Sequence, residues 1–169
     1  MADLKNSQTE RDLKEAFAGE SQANRKYLAF AQQADKEGYT QAAKLFRAAA
    51  EAETVHAHAH LRALGGIGKT IENLQEAVSG ETHEFKEMYP PMIEEAQANG
   101  FTAAERSFRF ANVVEEVHAK LYQKMLDNLE KADVVDYYVC LVCGHTLEEP
   151  PQKPCVVCGA APKAFKKID

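Results

Sequence analysis

Apolar residues are interspersed with charged and polar ones over residues 1–132, a stretch rich in Ala, Glu, Lys, Gln and Leu in which Gly and Pro occupy few positions. This pattern favours α-helix and contains no apolar run of membrane-spanning length. Four long helices are predicted: from Thr9 to Glu37-Gly38, from Thr40 to Gly65-Gly66, over much of 71–98, and from Thr102 to about Lys131.

Capping and breaking residues set the expected ends of these helices. Thr9-x-x-Asp12 predicts a cap for the first helix, and Thr102-x-x-Glu105 predicts a capping box for the fourth. Pro90-Pro91 is expected to kink the third helix, because proline lacks the amide N–H that an inner helical turn needs. The segment from Gly65 to Lys69 is predicted to begin a crossover.

An internal repeat organises the helical region. Residues 37–57 align without gaps on residues 99–119, with 10 identities among the 21 positions. Upstream, Gly19-Glu20 corresponds to Gly80-Glu81, one residue out of register with the repeat. The repeat predicts two related helical hairpins about an approximate twofold axis, so that inward-facing groups come in pairs.

The paired groups include metal-binding side chains. Glu53-x-x-His56 and Glu115-x-x-His118 each place a carboxylate and an imidazole one helical turn apart. One such motif is a weak signal, since most lie on solvated faces, but two copies at equivalent positions of a repeat are a much stronger one. The six residues match the di-metal carboxylate arrangement of four-helix bundles, whose donors suit iron or manganese: Glu20, Glu53, His56, Glu81, Glu115 and His118.

Charge balance favours the same interpretation. Four glutamates facing one bundle interior would repel one another unless they were protonated or neutralised by two divalent cations. Glu84, one turn after Glu81, adds a further carboxylate that would permit ligand exchange. Tyr27 and Tyr89 occupy equivalent positions near the site, where each is either a hydrogen-bond donor to a ligand carboxylate or an ordinary core tyrosine.

The C-terminal segment carries the strongest single motif. Cys140-x-x-Cys143 and Cys155-x-x-Cys158 form two knuckles whose thiolates can surround one metal ion. Spacing alone leaves iron and zinc open: zinc would make the segment a scaffold, and iron would make it a one-electron carrier. The chain is therefore predicted to comprise a bundle domain over 1–132 and a small metal-binding domain over 133–169.

The overall charge narrows the functional classes. Twenty Lys and Arg against 26 Asp and Glu give 20 − 26 = −6, and the basic residues form no patch, which disfavours nucleic-acid binding. The first 17 residues lack the apolar run of a signal peptide. A cytoplasmic protein without a membrane segment is expected. The close spacing of the four cysteines agrees with a reducing compartment, where such pairs are more often metal ligands than disulfides.

Together these motifs resemble the rubrerythrin family across essentially the whole chain. The resemblance is carried by FAGESQANRKY, Glu53-x-x-His56, GETHEFKEMYP, Glu115-x-x-His118 and YVCLVCG with PCVVCGAAPKAF. It implies a mainly α fold, a ferritin-like four-helix bundle followed by a small rubredoxin-like domain. It also implies a di-iron site with the ligands Glu20, Glu53, His56, Glu81, Glu84, Glu115 and His118, and a rubredoxin-type iron held by Cys140, Cys143, Cys155 and Cys158.

The resemblance further implies an enzyme of oxidative-stress protection. The expected activity is reduction of hydrogen peroxide to water with electrons from NAD(P)H, supplied by a reductase or by rubredoxin. On oxidation one iron would exchange His56 for Glu84, with Tyr27 and Tyr89 bonding ligands or intermediates. Two departures, a second proline at Pro91 and a short crossover after the second helix, are expected to alter substrate access without removing a ligand.

Two alternatives belong to other functional classes. One is a ferritin-like ferroxidase or iron-storage protein with a structural zinc-ribbon tail, and the other is a purely structural zinc adaptor. The length of the fourth helix after His118, about 20 Å, places the tail metal beyond the end of its own bundle. A head-to-tail homodimer, in which each tail serves the di-iron site of the other subunit, is therefore expected.

Overall fold

The computed structural model describes residues 4–168. Its class is mainly α, as predicted, with a small C-terminal domain that contains the four cysteines. The helices are α1 (Gln8–Lys36), α2 (Thr40–Ala63), α3 (Thr70–His83), α4 (Tyr89–Ala98) and α5 (Thr102–Asn128), with a π-helical segment at Glu84–Met88; the strands are β1 (Tyr137–Cys140), β2 (Thr146–Leu147) and β3 (Phe165–Ile168), and Pro162–Ala164 is a 3₁₀ turn.

The chain divides between Gly68 and Lys69 into two compact units. The N-terminal unit is an antiparallel hairpin in which α1 and α2 pack along their length. Alanines dominate its buried seam, since Ala31, Ala43 and Ala50 are each no more than 2% exposed. Small side chains allow the two helices to approach closely, but they bury little apolar surface. The predicted division into domains 1–132 and 133–169 stays a prediction.

The turn of this hairpin recurs in the C-terminal unit. Gly38 has φ 84° and Gly100 has φ 72°, the left-handed conformation that glycine adopts without strain. The amide of Tyr39 donates to the carbonyl of Ala34 at 2.8 Å, and the amide of Phe101 donates to that of Ala96 at 2.9 Å. The repeat read from the sequence therefore corresponds to two equivalent helix–turn–helix connections.

Both predicted caps are wrong by a small shift. Ser7, not Thr9, caps α1: its hydroxyl accepts a hydrogen bond from the amide of Glu10 at 3.0 Å. Thr102 is already the first residue of α5, because the preceding glycine turn brings the carbonyl of Phe101 to the amide of Glu105. Backbone turn geometry thus takes the place of the expected capping box.

The third predicted helix is interrupted upstream of its prolines. Residues Glu84–Met88 form a π-helical segment, in which the amide of Tyr89 donates to the carbonyl of Glu84. Pro90 and Pro91 have no N–H for the carbonyls one turn earlier, so the α pattern cannot continue through them unchanged. The disruption expected from the two prolines therefore begins at Glu84 itself. Single π turns of this kind occur frequently at functional sites.

The C-terminal unit combines helices with a small sheet. α3 and α4 pack on α5, and the three strands form an antiparallel sheet in the order β2-β1-β3. Tyr138 pairs with Leu147 on one side and with Lys167 on the other. In the described part of the chain, every helix is too short or too polar to cross a membrane.

Candidate metal centres

The N-terminal unit brings together three predicted ligands, one from α1 and two from α2. The Nδ1 atom of His56 lies 2.9 Å from a carboxylate oxygen of Glu53 and 3.9 Å from one of Glu20. One donor atom from each residue lies within 4.8 Å of the others, a spacing that a single metal ion can bridge. The side chain of His56 is 54% exposed, so this cluster lies at the surface of the hairpin.

The C-terminal unit repeats this arrangement. The Nδ1 atom of His118 lies 2.8 Å from a carboxylate oxygen of Glu115 and 3.8 Å from one of Glu81. These donors also fall within 4.8 Å of one another. Glu81 comes from α3, whereas Glu115 and His118 come from one face of α5. We refer to the two clusters as the N-terminal and C-terminal half-sites.

Hydrogen bonding identifies which nitrogen of His118 is available to a metal. The hydroxyl of Thr146 is 3.0 Å from Nε2 of His118 and 3.1 Å from the carbonyl of Gly144. With its proton donated to that carbonyl, Thr146 accepts a hydrogen bond from His118 whenever Nε2 is protonated. In that tautomer the lone pair of Nδ1 faces the carboxylates of Glu115 and Glu81. Only a cation or a proton can relieve that contact, and metal-bound histidines are commonly oriented in this way.

The carboxylates of the C-terminal half-site favour the same conclusion. Burial, reinforced by the neighbouring Glu115, raises the pKa of Glu81 to about 7. Burial and Glu115 likewise raise the pKa of Glu84. Crowded carboxylates that resist ionisation are relieved when a divalent cation binds between them. The donor set, carboxylate oxygens with imidazole nitrogens, fits iron or manganese.

The four cysteines form a separate cluster, with sulfurs within 4.8 Å of one another, and are not joined by disulfides. The sulfurs of Cys140 and Cys158 are 3.7 Å apart, and those of Cys143 and Cys155 are 3.6 Å apart. Four thiolates at about 2.3 Å from one metal would be separated by about 3.8 Å. Gly144 and Gly159 follow the knuckles with φ 84° and 75°, which turns the backbone around the cluster.

The four-cysteine domain packs against α5 of its own chain. Thr146 on β2 reaches His118, the amine of Lys124 pairs with Glu148 at 2.6 Å, and Gly144 lies against Val114. The expectation that this domain lies beyond the end of its own helices is therefore wrong. After Asn128 the chain reverses, so that β1 and β2 return alongside α5 towards the C-terminal half-site.

The remaining predicted site residues are Glu84, Tyr89 and Tyr27. Glu84 sits in the π-helical segment and interacts electrostatically with His118. Burial and the charge of Glu115 raise the pKa of Tyr89, so this phenol keeps its proton near the carboxylates. Tyr27 packs against Phe30 and Phe46, with ring centroids 6.3 and 6.2 Å away. Tyr89 thus keeps the proton that a donor role requires, and Tyr27 lies in an aromatic cluster; the roles predicted for both tyrosines stay predictions.

Two residues near the half-sites were not predicted. Thr146 contacts His118, and Asn24 on α1 donates to the carbonyl of Ala50 at 2.7 Å and to the hydroxyl of Thr54 at 2.8 Å. Asn24 is buried one turn after Glu20 and ties α1 to α2 beside Glu53. Asn24 could have been noticed in the sequence as a polar residue four positions after Glu20, on the ligand face of α1. No local sequence signal points to Thr146.

Comparison with known proteins agrees with these two kinds of centre. Residues 12–126 match the family profile described as Rubrerythrin. The chain is 33% identical to Rubrerythrin-2 of Clostridium acetobutylicum, covering 96% of this chain and 98% of the relative, and 36% identical to Rubrerythrin of Porphyromonas gingivalis, covering 96% and 90%. Fully reduced, all-ferrous nigerythrin matches its structure with a TM-score of 0.56 at 32% identity, over 99% of this chain and 91% of that one. The chain is therefore a member of the rubrerythrin family, whose members are di-iron proteins of oxidative stress.

Proposed function

We propose that this protein is a hydrogen peroxide reductase that receives electrons singly at its four-cysteine site and uses them at a di-iron site. The observation that carries the proposal is the hydrogen bond between Thr146 and His118, which connects the four-cysteine domain directly to a carboxylate–imidazole half-site. A structural zinc ribbon would not need this connection. Reduction of one peroxide takes two electrons and two protons and yields two waters. A one-electron carrier beside the site can supply these electrons one at a time.

The ligands of the di-iron site are proposed to be the predicted set. The two half-sites supply six of them, and the seventh is Glu84. When bound, an iron pair supplies Lewis acidity and two reducing equivalents at one place. The seven proposed ligands are Glu20, Glu53, His56, Glu81, Glu84, Glu115 and His118.

Glu84 and Tyr89 are the residues best placed to handle protons and to exchange contacts. Glu84 lies on a π-helical turn, where it is less constrained by a regular helical ladder than Glu81 is. Tyr89 keeps its hydroxyl proton at neutral pH, since its pKa is raised by burial first and by the carboxylates second. It can therefore donate a hydrogen bond to a carboxylate or to a peroxide oxygen throughout turnover.

His56 and His118 are proposed to differ in mobility. His118 is fixed by Thr146, whereas the exposed ring of His56 has no hydrogen-bond partner at Nε2 among the described residues. A weakly held imidazole can leave a metal more easily than one whose second nitrogen is bonded. This asymmetry supports the exchange of His56 for Glu84 that the family resemblance implies.

The electron path is proposed to run through a short part of the chain. Cys143 is joined to Thr146 through Gly144 and His145, and the hydroxyl of Thr146 is 3.0 Å from the ring of His118. Iron in the four-cysteine site would be reduced by rubredoxin or by an NAD(P)H-dependent reductase. Zinc in that site would block the path, because zinc has no accessible second oxidation state.

The proposal is tested by peroxide consumption with an NADH-dependent reductase as donor. Wild-type protein loaded with iron is expected to consume peroxide and NADH in equal amounts, and Cys143→Ser is expected to lose donor-dependent turnover. Chemically reduced Cys143→Ser should still reduce one peroxide per di-iron site in a single turnover. Accumulation of many irons per chain under ferrous iron and air, without donor-dependent peroxide loss, would instead indicate iron storage.

A further inference from the structure

We propose that each complete di-iron site is built from two copies of this chain, with the α1–α2 hairpin of one copy closing against α3–α5 of the other. The exchange is reciprocal, so a dimer holds two equivalent sites. This inference rests on the proposed di-iron function, because it concerns how the two half-sites meet. It assigns a second copy of the chain as the partner that completes the ligand set.

Each half-site is incomplete on its own. The N-terminal half-site offers two carboxylates and one imidazole, and the C-terminal half-site offers the equivalent three groups. A di-metal carboxylate centre in a four-helix bundle takes its ligands from all four helices. The three ligands that each half-site lacks must therefore come either from the other hairpin of the same chain or from a second copy.

The ferritin-like bundle imposes a crossover between its second and third helices. Because of it, α2 and α3 must run in the same direction, with the two half-sites at the same level. From His56 to Ala63 is seven residues, or about 10 Å of helix, and from Thr70 to Glu81 is eleven residues, or about 16 Å. A connection within one chain would then have to cover about 27 Å along the bundle, and about 29 Å once the helix spacing is included.

The connection between α2 and α3 is too short for that distance. Seven Cα–Cα steps lead from Ala63 to Thr70, and even fully extended they span only about 25 Å. The segment is also not fully extended at its start. Gly65 has φ 70°, and the amide of Gly66 donates to the carbonyl of Leu61 at 3.0 Å, which folds Leu64–Gly66 back onto the end of α2. One chain therefore cannot close a ferritin-like bundle on itself.

The surfaces of the two hairpins fit closure by a second copy. On the N-terminal hairpin, Phe30 is 47% and Leu45 68% exposed, although its buried seam consists mainly of alanines. On α5, Tyr122, one turn after His118 on the same face, is 39% exposed. Both hairpins thus retain large apolar side chains that a two-helix packing leaves uncovered. Because the two copies are identical, a reciprocal exchange buries the same faces in both bundles.

Subunit complementation tests the exchange directly. Glu53→Gln impairs the N-terminal hairpin and Glu115→Gln impairs the C-terminal one, and both are close to isosteric with the original residue. If hairpins are exchanged, a mixed dimer combines one doubly impaired bundle with one intact bundle. If each chain closes its own bundle, both bundles of a mixed dimer stay impaired.

Cobalt binding provides a readout that does not depend on activity. The two variants, carrying different affinity tags, are unfolded together, refolded without metal, and purified as mixed dimers over both tags. Exchange predicts about two more tightly bound Co²⁺ per mixed dimer than in either variant homodimer, with the thiolate-to-cobalt absorption unchanged. Verified mixed dimers that bind no more Co²⁺ than the homodimers would overturn the exchange.

Wild-type protein separates failure of the exchange from failure of the proposed function. Full carboxylate-bound Co²⁺ in a monomer, measured by sedimentation with metal analysis, would overturn the exchange and leave the di-iron proposal standing. Wild-type dimers that bind Co²⁺ only at the four cysteines would overturn the di-iron site and the exchange that rests on it. Full binding confined to the dimer, together with complementation, is the expected result.

Discussion

Thr146 lies outside every metal-binding motif, yet its hydroxyl contacts a predicted ligand. With its proton donated to the carbonyl of Gly144, it accepts a hydrogen bond from Nε2–H of His118 in the tautomer whose Nδ1 can bind a metal. Such outer contacts typically change metal affinity by about 10- to 100-fold. The ligands themselves could be proposed from the repeat, whereas Thr146 could not, because its role depends on how the C-terminal strands return to α5.

The role of Thr146 can be tested by removing its hydroxyl. Thr146→Val is expected to weaken Co²⁺ binding at the carboxylate site by about 10- to 100-fold, since His118 loses the acceptor that orients its ring. Thr146→Ser keeps the hydroxyl and serves as the control. The absorption of the four-thiolate site should be the same in all three proteins, and equal carboxylate-site affinities in all three would show that the contact is dispensable.

His56 offers a second test at a single residue. His56→Ala removes the proposed mobile ligand, so peroxide turnover is expected to fall by at least about tenfold while the thiolate-to-iron absorption of the tail is unchanged. The neighbouring His58 is exposed and belongs to neither half-site, which makes His58→Ala a matched control. Turnover of His56→Ala equal to that of the control would exclude the ligand exchange.

At the level of elements, the two hairpin turns have the same structure, so the sequence repeat is also a structural repeat. Gly38 and Gly100 both adopt positive φ, and the hydrogen bonds that follow them are equivalent. The glycines, the helix lengths and the repeat were sufficient to predict these connections from the sequence. The caps and the π-helical segment were less accessible, because they depend on which of several nearby polar groups and carbonyls finds a partner.

The glycine turns predict a measurable cost of substitution. Gly38→Ala places a Cβ in the left-handed region and is expected to destabilise the protein by about 1 to 2 kcal/mol. At Gly19, in the middle of α1, the space that a Cβ would occupy is open, and Gly19→Ala should stabilise by up to about 1 kcal/mol through helix propensity. Denaturant unfolding of the metal-free proteins measures both; effects of the same sign would contradict this account of the turn.

At the level of the whole molecule, the sequence predicted the family, the fold class and the two kinds of metal centre. It did not predict the position of the C-terminal domain, because helix length alone gives no information about a chain reversal after α5.

The metal content of the protein can be predicted from the donor sets. Iron-supplied protein in air should contain about three irons per chain and show a thiolate-to-iron colour that bleaches with reductant. Zinc at the four cysteines of functional protein would contradict the electron-carrier role.

The direction of electron transfer within the proposed dimer can also be predicted. Because the four-cysteine domain packs on α5 of its own chain, a functional unit should combine that domain with its own C-terminal half-site and the partner's N-terminal hairpin. A mixed dimer of Glu53→Gln with Cys143→Ser then retains one intact unit and should regain donor-dependent peroxide turnover. Glu115→Gln with Cys143→Ser should stay inactive, since each unit contains one lesion.

A head-to-tail dimer without exchange predicts the opposite result for the mixed dimer of Glu115→Gln with Cys143→Ser. In that arrangement each four-cysteine domain would serve the self-contained bundle of the other subunit, so this mixed dimer would regain activity as well. Turnover with a reductase, measured on dimers purified through both tags, distinguishes the two arrangements. Activity in the Glu115→Gln pair would show that electrons cross to a bundle other than the one on which the tail packs.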